Sequence, residues 1–318
     1  MVDILYLAIP CYNEQEVLDR TSSLLRQKLL KLMSQNKISP ESKIVFIDDG
    51  SKDNTWQMID KLHSEDKIFS GIKLSRNRGH QNALLAGLTT IKDLCDMTIS
   101  IDADLQDDID AIDKMIDKYY EGNEIVYGVR SSRKTDTFFK RFTAQSFYKL
   151  IKFMGADIIY NHADFRLMSQ KVLNEFVKFG EVNLFLRGLV PMLGFKSEIV
   201  TYERAERFAG KSKYPLKKML AFAWEGITSL SVKPIKFITS IGFFIFFVSI
   251  LMILYFLFQF INHNTIPGWT TIVISVWMLG GLQLISIGLI GEYIGKIYLE
   301  TKHRPRFIIE KFLNEHHL

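Results

Sequence analysis

Several features that define common protein classes are scarce or missing in this 318-residue sequence. It has only two cysteines, Cys11 and Cys95, both within apolar runs, which excludes a disulfide scaffold and a cysteine-based zinc site. No Gly-x-Gly-x-x-Gly pattern occurs, so the usual fingerprint of a dinucleotide enzyme is missing. The net charge of +5, without a dense basic stripe, is too small to indicate nucleic-acid binding.

Charge is also missing from one long stretch, because no Asp, Glu, Lys or Arg occurs between Phe237 and Gly291. A loop-forming cluster at residues 262–268 divides this stretch into two apolar runs, 235–261 and 269–290, each long enough to cross a bilayer. Basic residues flank the pair on its outer sides and are absent from the connecting loop. They are Lys233, Lys236, Lys296, Lys302, Arg304 and Arg306. The sequence therefore predicts an integral membrane protein with a two-helix hairpin and cytoplasmic termini.

Two further segments combine aromatic residues with Lys and Arg at helical spacing, residues 138–153 and 214–224. A helix that lies on an anionic membrane surface shows this pattern, and so does an ordinary amphipathic core helix. The nearby hairpin favours the surface position. The first residues lack the basic region of a signal peptide, and the apolar run 4–9 is too short for one, so we expect a cytoplasmic N-terminus.

The first part of the chain alternates strand-like runs with helical segments, which predicts an α/β fold with a parallel sheet. The predicted strands are residues 4–10, 43–47, 71–74, 97–101 and 124–127. The predicted helices lie near residues 15–33, 54–63, 80–91 and 109–120. Ligands of open α/β sheets bind beyond the carboxyl ends of the strands, so the polar residues that follow each strand are the candidates for a site.

Two carboxylates one residue apart, Asp102 and Asp104, follow the fourth predicted strand. Such a pair can share one hard cation, which in turn can hold a diphosphate. Acidic triplets also occur as solvated turns, and Asp107, Asp108 and Asp110 look like first-turn acids of the next helix. The position directly after an apolar strand favours the metal role.

The ends of the other strands carry softer signals. Asp49 lies in a turn-forming sequence after the second strand, where a carboxylate can accept hydrogen bonds from a base or ribose. Tyr12 and Glu14 follow the first strand, and the tyrosine ring can stack on a base. A lone histidine in a polar loop, such as His162, is usually only hydrogen-bonded, so we leave it out of the site.

In their order along the chain, these motifs resemble family 2 glycosyltransferases with a GT-A nucleotide-sugar fold. They resemble more closely the polyprenyl-phosphate glycosyltransferases related to dolichol-phosphate-mannose synthase and the bacterial undecaprenyl-phosphate glucosyltransferases. The motifs span nearly the whole chain and lie at residues 9–14, 48–51, 77–81, 102–106, 128–133, 163–167 and 207–213, followed by the paired spans. Ala163 stands where relatives often have Gly.

The resemblance implies a role for each motif. The residues that would hold uridine or another nucleoside are Pro10, Tyr12, Glu14, Asp48, Asp49, Gln81 and Asp102. Asp102, Asp104 and Gln106 would bind a divalent metal, Mg²⁺ or Mn²⁺, and through it the diphosphate. Asp164 matches the catalytic carboxylate, acting with Asp104, Arg130 and Arg133. The basic residues that would grip the acceptor phosphate or the leaving diphosphate are Arg130, Arg133, Arg207 and Lys213.

The implied reaction is the inverting transfer of one sugar from a nucleotide diphosphate donor, UDP-glucose or UDP-N-acetylglucosamine, to polyprenyl (undecaprenyl) phosphate. An anionic acceptor must approach an anionic donor, so the site needs a cation and arginines. A lipid phosphate has its second pKa near about 6 and is already a nucleophile at neutral pH. Asp164 therefore either orients groups or removes a proton only from the monoanion.

We expect four regions: a GT-A domain at 1–208, a juxtamembrane amphipathic segment at 209–234, the hairpin at 235–291 and a basic cytoplasmic tail at 292–318. The expected partners are the nucleotide sugar, the polyprenyl phosphate and membrane lipid, and, for a lipid-linked envelope sugar, a flippase and a downstream glycosyltransferase. Self-association is left open by four glycines of the second span, Gly280, Gly281, Gly288 and Gly291.

Two alternatives remain open. A processive polysaccharide synthase would share the nucleotide-binding half, but such enzymes resemble one another in a Gln-x-x-Arg-Trp motif, and none of the four tryptophans here follows an arginine. A non-catalytic membrane subunit would keep the fold only to bind nucleotide sugar. Metal-dependent binding of the donor without turnover would identify it.

Overall fold

An eight-stranded sheet forms the centre of the computed structural model, which describes residues 2–130, 162–181, 185–203, 233–261 and 268–314. The strands are β1 (Leu5–Cys11), β2 (Lys43–Asp48), β3 (Phe69–Leu74), β4 (Met97–Ser100), β5 (Ile125–Arg130), β6 (His162–Ser169), β7 (Ser197–Tyr202) and β8 (Ile309–Leu313). The helices are α1 (Leu18–Ser34), α2 (Thr55–Glu65), α3 (His80–Ile91), α4 (Ala111–Tyr120), α5 (Gln170–Phe176), α6 (Leu186–Met192), α7 (Lys233–Ile261) and α8 (Trp269–Thr301).

The sheet is mixed rather than wholly parallel, in the order β7-β5-β6-β4-β1-β2-β3-β8. Strands β4, β1, β2 and β3 are parallel, as the sequence predicts. Strand β6 runs antiparallel to both β4 and β5, and β8 runs antiparallel to β3. The chain moves from β1 outward to β3 and then returns to place β4 on the other side of β1. A crevice therefore opens between the carboxyl ends of β1 and β4, where open α/β sheets bind their ligands.

Both faces of the sheet are covered, which explains why β1 is buried at all seven positions. Leu5, Leu7 and Ile9 pack into the core shared with α1, α2 and α4, whereas Tyr6 and Ala8 pack into the core shared with α3, α5 and α6. Successive strand residues point to opposite faces, so one short apolar run supplies both cores. Helix α1 contributes leucines at helical spacing, namely Leu18, Leu25, Leu29 and Leu32.

Each predicted strand and helix of the first 130 residues overlaps an observed one, and the helix predicted at 80–91 coincides with α3. The sequence reading did not predict β6, α5, α6 or β7. These are short elements without a long periodic pattern, and the pairing of β6 between β4 and β5 depends on tertiary contacts.

The segment expected to be a basic tail returns to the sheet. Helix α8 continues to Thr301, and β8 then pairs with β3, with Leu313 opposite Gly71. Phe312 and Leu313 pack against opposite faces of the sheet. Ser70 Oγ donates to the Leu313 carbonyl at 2.6 Å, and Arg306 Nη2 donates to the carbonyl of Phe179 at 2.6 Å. A five-residue strand among charged residues is too short to give a clear sequence signal.

Helices cover both predicted spans, since α7 has 29 residues and α8 has 33. Among the residues whose side chains the structure describes, one helical segment, Met278–Thr301, is long and apolar enough to cross a bilayer. Its side chains are almost wholly exposed. The predicted surface helices at 138–153 and 214–224 lie outside the described residues.

Candidate active site

The crevice begins where β1 runs past the end of β4. The last paired residues are Ala8 and Ser100, whereas β1 stays paired with β2 as far as Cys11. The Ala8 carbonyl accepts from Ile101 N on the β4 side, and the Cys11 carbonyl accepts from Asp49 N on the β2 side. Because backbone groups alternate sides along a strand, the nitrogen of buried Pro10 faces the β4 side beyond the last pair. Its missing N–H therefore leaves no ladder bond unfilled.

The loop after β1, which carries Tyr12 and Glu14, is tied to the loop after β2. Asn13 N donates to Ser51 Oγ at 3.0 Å, and Asn13 Oδ1 accepts from Lys52 N at 2.8 Å. Glu14 N donates to Thr55 Oγ1 at 3.0 Å. These bonds hold two of the predicted nucleoside-binding residues, both partly buried, at the mouth of the crevice.

The carboxylates of Asp48 and Asp49, at the end of β2, accept hydrogen bonds from backbone N–H groups. Asp49 Oδ1 accepts from Arg78 N at 2.7 Å and Asp49 Oδ2 accepts from Gly79 N at 2.8 Å, just before α3 begins. Asp48 Oδ1 accepts from Ser51 N at 3.2 Å. Burial raises the pKa of both carboxyl groups. Their contact with a nucleoside stays a prediction, whereas their part in fixing these turns is observed.

The loop after β4 is anchored from α1 and has an unusual backbone. Thr21 Oγ1 donates to the Ala103 carbonyl at 2.7 Å, and Gln106 N donates to Asp104 Oδ1 at 3.2 Å. Leu105 has a φ of 48°, a left-handed conformation that is uncommon for a bulky residue. Strain of this kind is typical of functional loops, and here it fixes the turn between Asp104 and Gln106.

Asp102 lies in a concentration of negative charge. Burial raises its pKa to about 6, and the charges of Asp107, Asp164 and Asp104 act in the same direction, against the opposing effect of His80. A bound cation would relieve this repulsion.

Asp164, the predicted catalytic carboxylate, lies on β6, and the imidazole of His80 lies between it and Asp102. His80 Nε2 is 3.6 Å from Asp102 Oδ1 and 3.6 Å from Asp164 Oδ2. Ser100 Oγ donates to the Asp164 carbonyl and so fixes the backbone at this point. Burial alone would lower the pKa of His80, but the contact with Asp164 and the charges of both aspartates raise it to about 9. His80 is therefore cationic at neutral pH.

Two arginines also contact the Asp164 carboxylate. Arg187, from α6, places Nη2 3.1 Å from Oδ2 and Nε 3.4 Å from Oδ1. Arg166, fully buried in β6, places Nη2 3.4 Å from Oδ1. Burial would raise the pKa of Asp164, but the charge of Arg187, the close contact with His80 and the charge of Arg166 hold it well below its usual range. Asp164 is therefore ionised and a weak base.

Gln81 contacts the backbone at the start of α6, and its predicted contact with the nucleoside stays a prediction. Its Oε1 accepts from Leu186 N at 2.9 Å, while Arg166 Nη1 donates to the Leu186 carbonyl at 3.3 Å. The first residue of α6 is thus fixed by both of its backbone polar groups. The next residue is Arg187.

Arg130, at the end of β5, is held in a buried group. Its Nη2 donates to Asp107 Oδ1 at 3.1 Å and its Nε donates to the Tyr202 hydroxyl at 3.3 Å, while that hydroxyl donates to Asp107 Oδ1. Asp107 Oδ2 is buried without a hydrogen-bond partner among the described residues. Asp107, Asp108 and Asp110 are therefore not first-turn acids of α4, which begins at Ala111 and has Asp113 in its first turn. The other predicted basic residues, Arg133, Arg207 and Lys213, lie outside the described residues.

The donor set after β4 fits a hard divalent cation, because Asp102 and Asp104 supply carboxylates and Gln106 supplies an amide oxygen. Within the described ranges, however, no group of three or more His, Cys, Asp or Glu side chains is arranged to hold a metal ion.

The residues that sequence reasoning missed are His80, Asp107, Arg166, Arg187 and Tyr202. His80 lay inside a recognised motif, but nothing in the sequence indicates that it reaches two aspartates. Arg187 is the single charged residue within the apolar run 184–190, which is only a weak sequence signal of a functional residue. Tyr202 ends a strand that the periodicity did not indicate.

Comparison with known proteins identifies the family of this chain. Residues 6–177 match the model described as "Glycosyl transferase family 2", and residues 233–297 match the "GtrB C-terminal hairpin". The chain is 54% identical over 307 residues to the uncharacterized glycosyltransferase YkoT of Bacillus subtilis (strain 168), covering 96% of this chain and 91% of that protein. It is 40% identical over 307 residues to the bactoprenol glucosyl transferase of Shigella phage SfV, covering 96% and 97%.

A further relative is the prophage bactoprenol glucosyl transferase homolog of Escherichia coli (strain K12), which is 39% identical over 307 residues and covers 96% of this chain and 98% of that protein. The family that the motifs resemble is therefore confirmed. The chain belongs to glycosyltransferase family 2, and it is a glycosyltransferase built on a mixed α/β sheet of the GT-A type.

Proposed function

We propose that this enzyme transfers one glucosyl residue from UDP-glucose to a polyprenyl phosphate, undecaprenyl phosphate, and so makes a lipid-linked sugar for the cell envelope. The observation that carries the proposal is that carboxylates from β6 and from the loop after β4, Asp164 and Asp102, lie 3.6 Å from the same imidazole nitrogen in the crevice. Relatives named bactoprenol glucosyl transferase, 40% identical over nearly the full chain, support glucose and the lipid acceptor.

For the donor, Asp102, Asp104 and Gln106 would hold Mg²⁺ or Mn²⁺, and Tyr12 and Glu14 would contact the nucleoside. A metal bound there would supply positive charge to neutralise the leaving diphosphate. Asp48, Asp49 and Gln81, which are also predicted for the nucleoside, would support it through the backbone groups that they bind. Pro10 would lie beside it at the end of β1.

For the chemical step, an oxygen of the lipid phosphate attacks the anomeric carbon as the bond to the diphosphate breaks, which inverts the configuration. The low pKa of Asp164 makes it a poor base, and a phosphate dianion needs none. In our proposal Asp164 orients His80 and Arg187. If Asp164→Asn lowers turnover by a factor that shrinks as pH rises through the phosphate pKa, proton removal is the better account. A pH-independent loss supports orientation.

For the acceptor, we propose that Arg130 grips the lipid phosphate, together with Arg133, Arg207 and Lys213. The bonds from Asp107 and Tyr202 hold the Arg130 fork in one orientation, which favours recognition of a tetrahedral anion.

For the membrane, we propose that α7 and α8 both span the bilayer and that the catalytic sheet and both termini are cytoplasmic. The match to the "GtrB C-terminal hairpin" and the basic residues outside the hairpin support this topology. The segments 138–153 and 209–234 would lie at the membrane surface. The catalytic unit would comprise residues 1–208 together with β8 from the last region.

The test is transfer by the purified full chain in detergent, with undecaprenyl phosphate, Mg²⁺ or Mn²⁺, and a panel of UDP- and GDP-sugars, read by the mass of the lipid product. We expect one added hexose with UDP-glucose, and none with EDTA or in Asp104→Ala. Metal-dependent nucleotide binding without any product would indicate a binding subunit. A ladder of products would indicate a processive synthase.

A further inference from the structure

The two nitrogens of the His80 imidazole have different surroundings. Nε2 lies 3.6 Å from Asp102 Oδ1 and 3.6 Å from Asp164 Oδ2, so this edge of the ring faces both carboxylates. Nδ1 has no hydrogen-bond partner among the residues that the structure describes, and it is not one of the buried polar atoms that lack a partner. The His80 side chain is 36% exposed. Nδ1 is therefore open to a ligand.

The fold fixes the direction of this nitrogen. His80 is the first residue of α3, and the Asp49 carboxylate accepts from the backbone N–H groups of the two residues before it. Asp102 and Asp164 attract the Nε2 edge of the ring. Because the two nitrogens lie on different edges of an imidazole, the edge that carries Nδ1 is turned away from both carboxylates. His80 thus presents one hydrogen-bonding atom at a fixed place in the crevice.

The two carboxylates mark the two ends of the proposed reaction. Asp102 belongs to the donor set for the metal that would hold the leaving diphosphate, and Asp164 is the predicted catalytic carboxylate. In an inverting displacement, the groups that assist departure and attack lie on opposite faces of the sugar. A side chain that lies between these two carboxylates therefore lies beside the sugar.

We propose that His80 Nδ1 makes a hydrogen bond with a hydroxyl group of the transferred sugar, and that Asp102 and Asp164 position the ring for this contact. The proposal deepens the proposed function and rests on it for the identity of the donor. A hydroxyl group both donates and accepts, so the contact forms whether or not His80 is protonated. A site that hydrogen-bonds a substrate hydroxyl rejects analogues without it, which makes His80 a residue of donor specificity.

The test compares two amide variants, because each keeps the position of a different ring nitrogen. His80→Asn places its amide near the position of Nδ1, and His80→Gln places its amide near that of Nε2. Both variants remove the charge equally, so the difference between them isolates the Nδ1 contact. Affinities of the full chain in detergent for UDP-glucose and for UDP are measured by calorimetry, with Mn²⁺ and without lipid. His303→Asn, at an exposed histidine after α8, is the control.

We expect the affinity for UDP-glucose relative to that for UDP to fall by about 3-fold to 10-fold in His80→Gln, the range for one lost hydrogen bond. In His80→Asn this ratio should stay within about twofold of the natural chain. A series of UDP-deoxyglucoses, each without one sugar hydroxyl, then identifies the contacted group. For the donor that lacks it, the ratio should be the same in His80→Gln and in the natural chain.

Three outcomes would overturn the proposal. The first is a ratio in His80→Gln within about twofold of the natural chain, which would make His80 only a counter-ion of the two aspartates. The second is an equal fall in both variants, which would assign the loss to the charge rather than to Nδ1. The third needs no variant: no deoxy donor binds the natural chain more than about twofold more weakly than UDP-glucose does.

Failure of the proposed function would look different. A natural chain that binds UDP-glucose but transfers no glucose to the lipid would contradict the proposed reaction, whereas the His80 contact is read from donor binding without acceptor. Unfolding temperatures of the two variants are measured beside the affinities. A loss of stability lowers the affinities for UDP and for UDP-glucose together and leaves their ratio unchanged, which is the first of the contradicting outcomes.

Discussion

The loops after β2 and after β4 place aspartates at the carboxyl ends of the two strands that flank β1, yet the carboxylates have different surroundings. After β2, both oxygens of Asp49 accept backbone N–H groups, from Arg78 and Gly79. After β4, Asp102 faces His80 and three other carboxylates, and its pKa is raised to about 6. In the loop after β2, the Asp49 carboxylate accepts hydrogen bonds from backbone N–H groups. The loop after β4 instead concentrates negative charge, which favours a bound cation.

The position of an aspartate at a strand end therefore does not determine its role. A carboxylate whose oxygens are both engaged by backbone donors stabilises the fold. One that faces other charges is suited to a ligand. Substitutions in the two loops should therefore separate stability from activity.

The largest effect is expected for Asp102→Asn, which should lower turnover by at least about 100-fold because a metal ligand contributes several kcal/mol to the transition state. Since the fold disfavours the ionised form of Asp102, the amide should keep or raise the unfolding temperature. Steady-state transfer and thermal unfolding measure the two quantities. Asp93→Asn, at an exposed acid paired with Lys92, is the control. Natural turnover in Asp102→Asn would remove this residue from the metal site.

The next effect concerns Gly50, in the loop after β2. Its φ is +65°, and an added Cβ would lie 2.6 Å from the backbone carbon of Arg76. Gly50→Ala should lower the free energy of unfolding by about 2–5 kcal/mol, from left-handed strain and backbone overlap together. Gly194→Ala is the matched control, since Gly194 has a φ of +69° but open space around it. Equal losses in urea unfolding would contradict the role of the close approach.

Asp49→Asn should lower the free energy of unfolding by about 1–3 kcal/mol, because the amide NH₂ would face a backbone donor that loses its acceptor. Turnover per folded molecule should fall much less than in Asp102→Asn. Urea unfolding and active-site-normalised transfer measure this pair of values. Asp19→Asn, at an exposed acid of α1, provides the baseline. A loss of turnover without loss of stability would instead give Asp49 direct contact with substrate.

The smallest effect is expected for Thr21→Val, which removes the hydrogen bond from α1 to the Ala103 carbonyl. The expected loss of stability is about 0.5–1.5 kcal/mol, with a modest rise in the donor KM as the loop after β4 loosens. Thr90→Val is the matched control, since Thr90 Oγ1 bonds only to the Ala86 carbonyl of its own helix in the bonds described. An unchanged KM would show that Leu105 and its packing suffice to hold the loop.

Much of the fold could be predicted from the sequence, because β1 to β4 and their helices carry long apolar patterns at regular spacing. The crevice followed from the polar residues after those strands, and Asp102 and Asp164 do lie close together. The local apolar pattern was sufficient to predict the elements that present a periodic apolar face to the core.

The rest could not be predicted, because it depends on contacts between distant segments. Gln81 and Leu186 are 105 residues apart, and Tyr202 and Asp107 are 95 apart. Neither spacing nor composition indicates such pairs. The contact of His80 with both Asp102 and Asp164 likewise depends on the antiparallel pairing of β6 with β4, which no periodic sequence pattern indicates.

The return of the chain to β3 through β8 makes the two-helix segment of α7 and α8 an insertion into the catalytic fold rather than an appendage at its end. Lys73 pairs with Glu310 at 2.9 Å, and the Ser75 amide donates to the Ile308 carbonyl, so the sheet is joined to the chain on the far side of the hairpin. An exchange of anchors between relatives would therefore need two junctions, one before Lys233 and one between Thr301 and Ile309. A single junction would leave β3 as an open edge, a surface on which other chains can add strands.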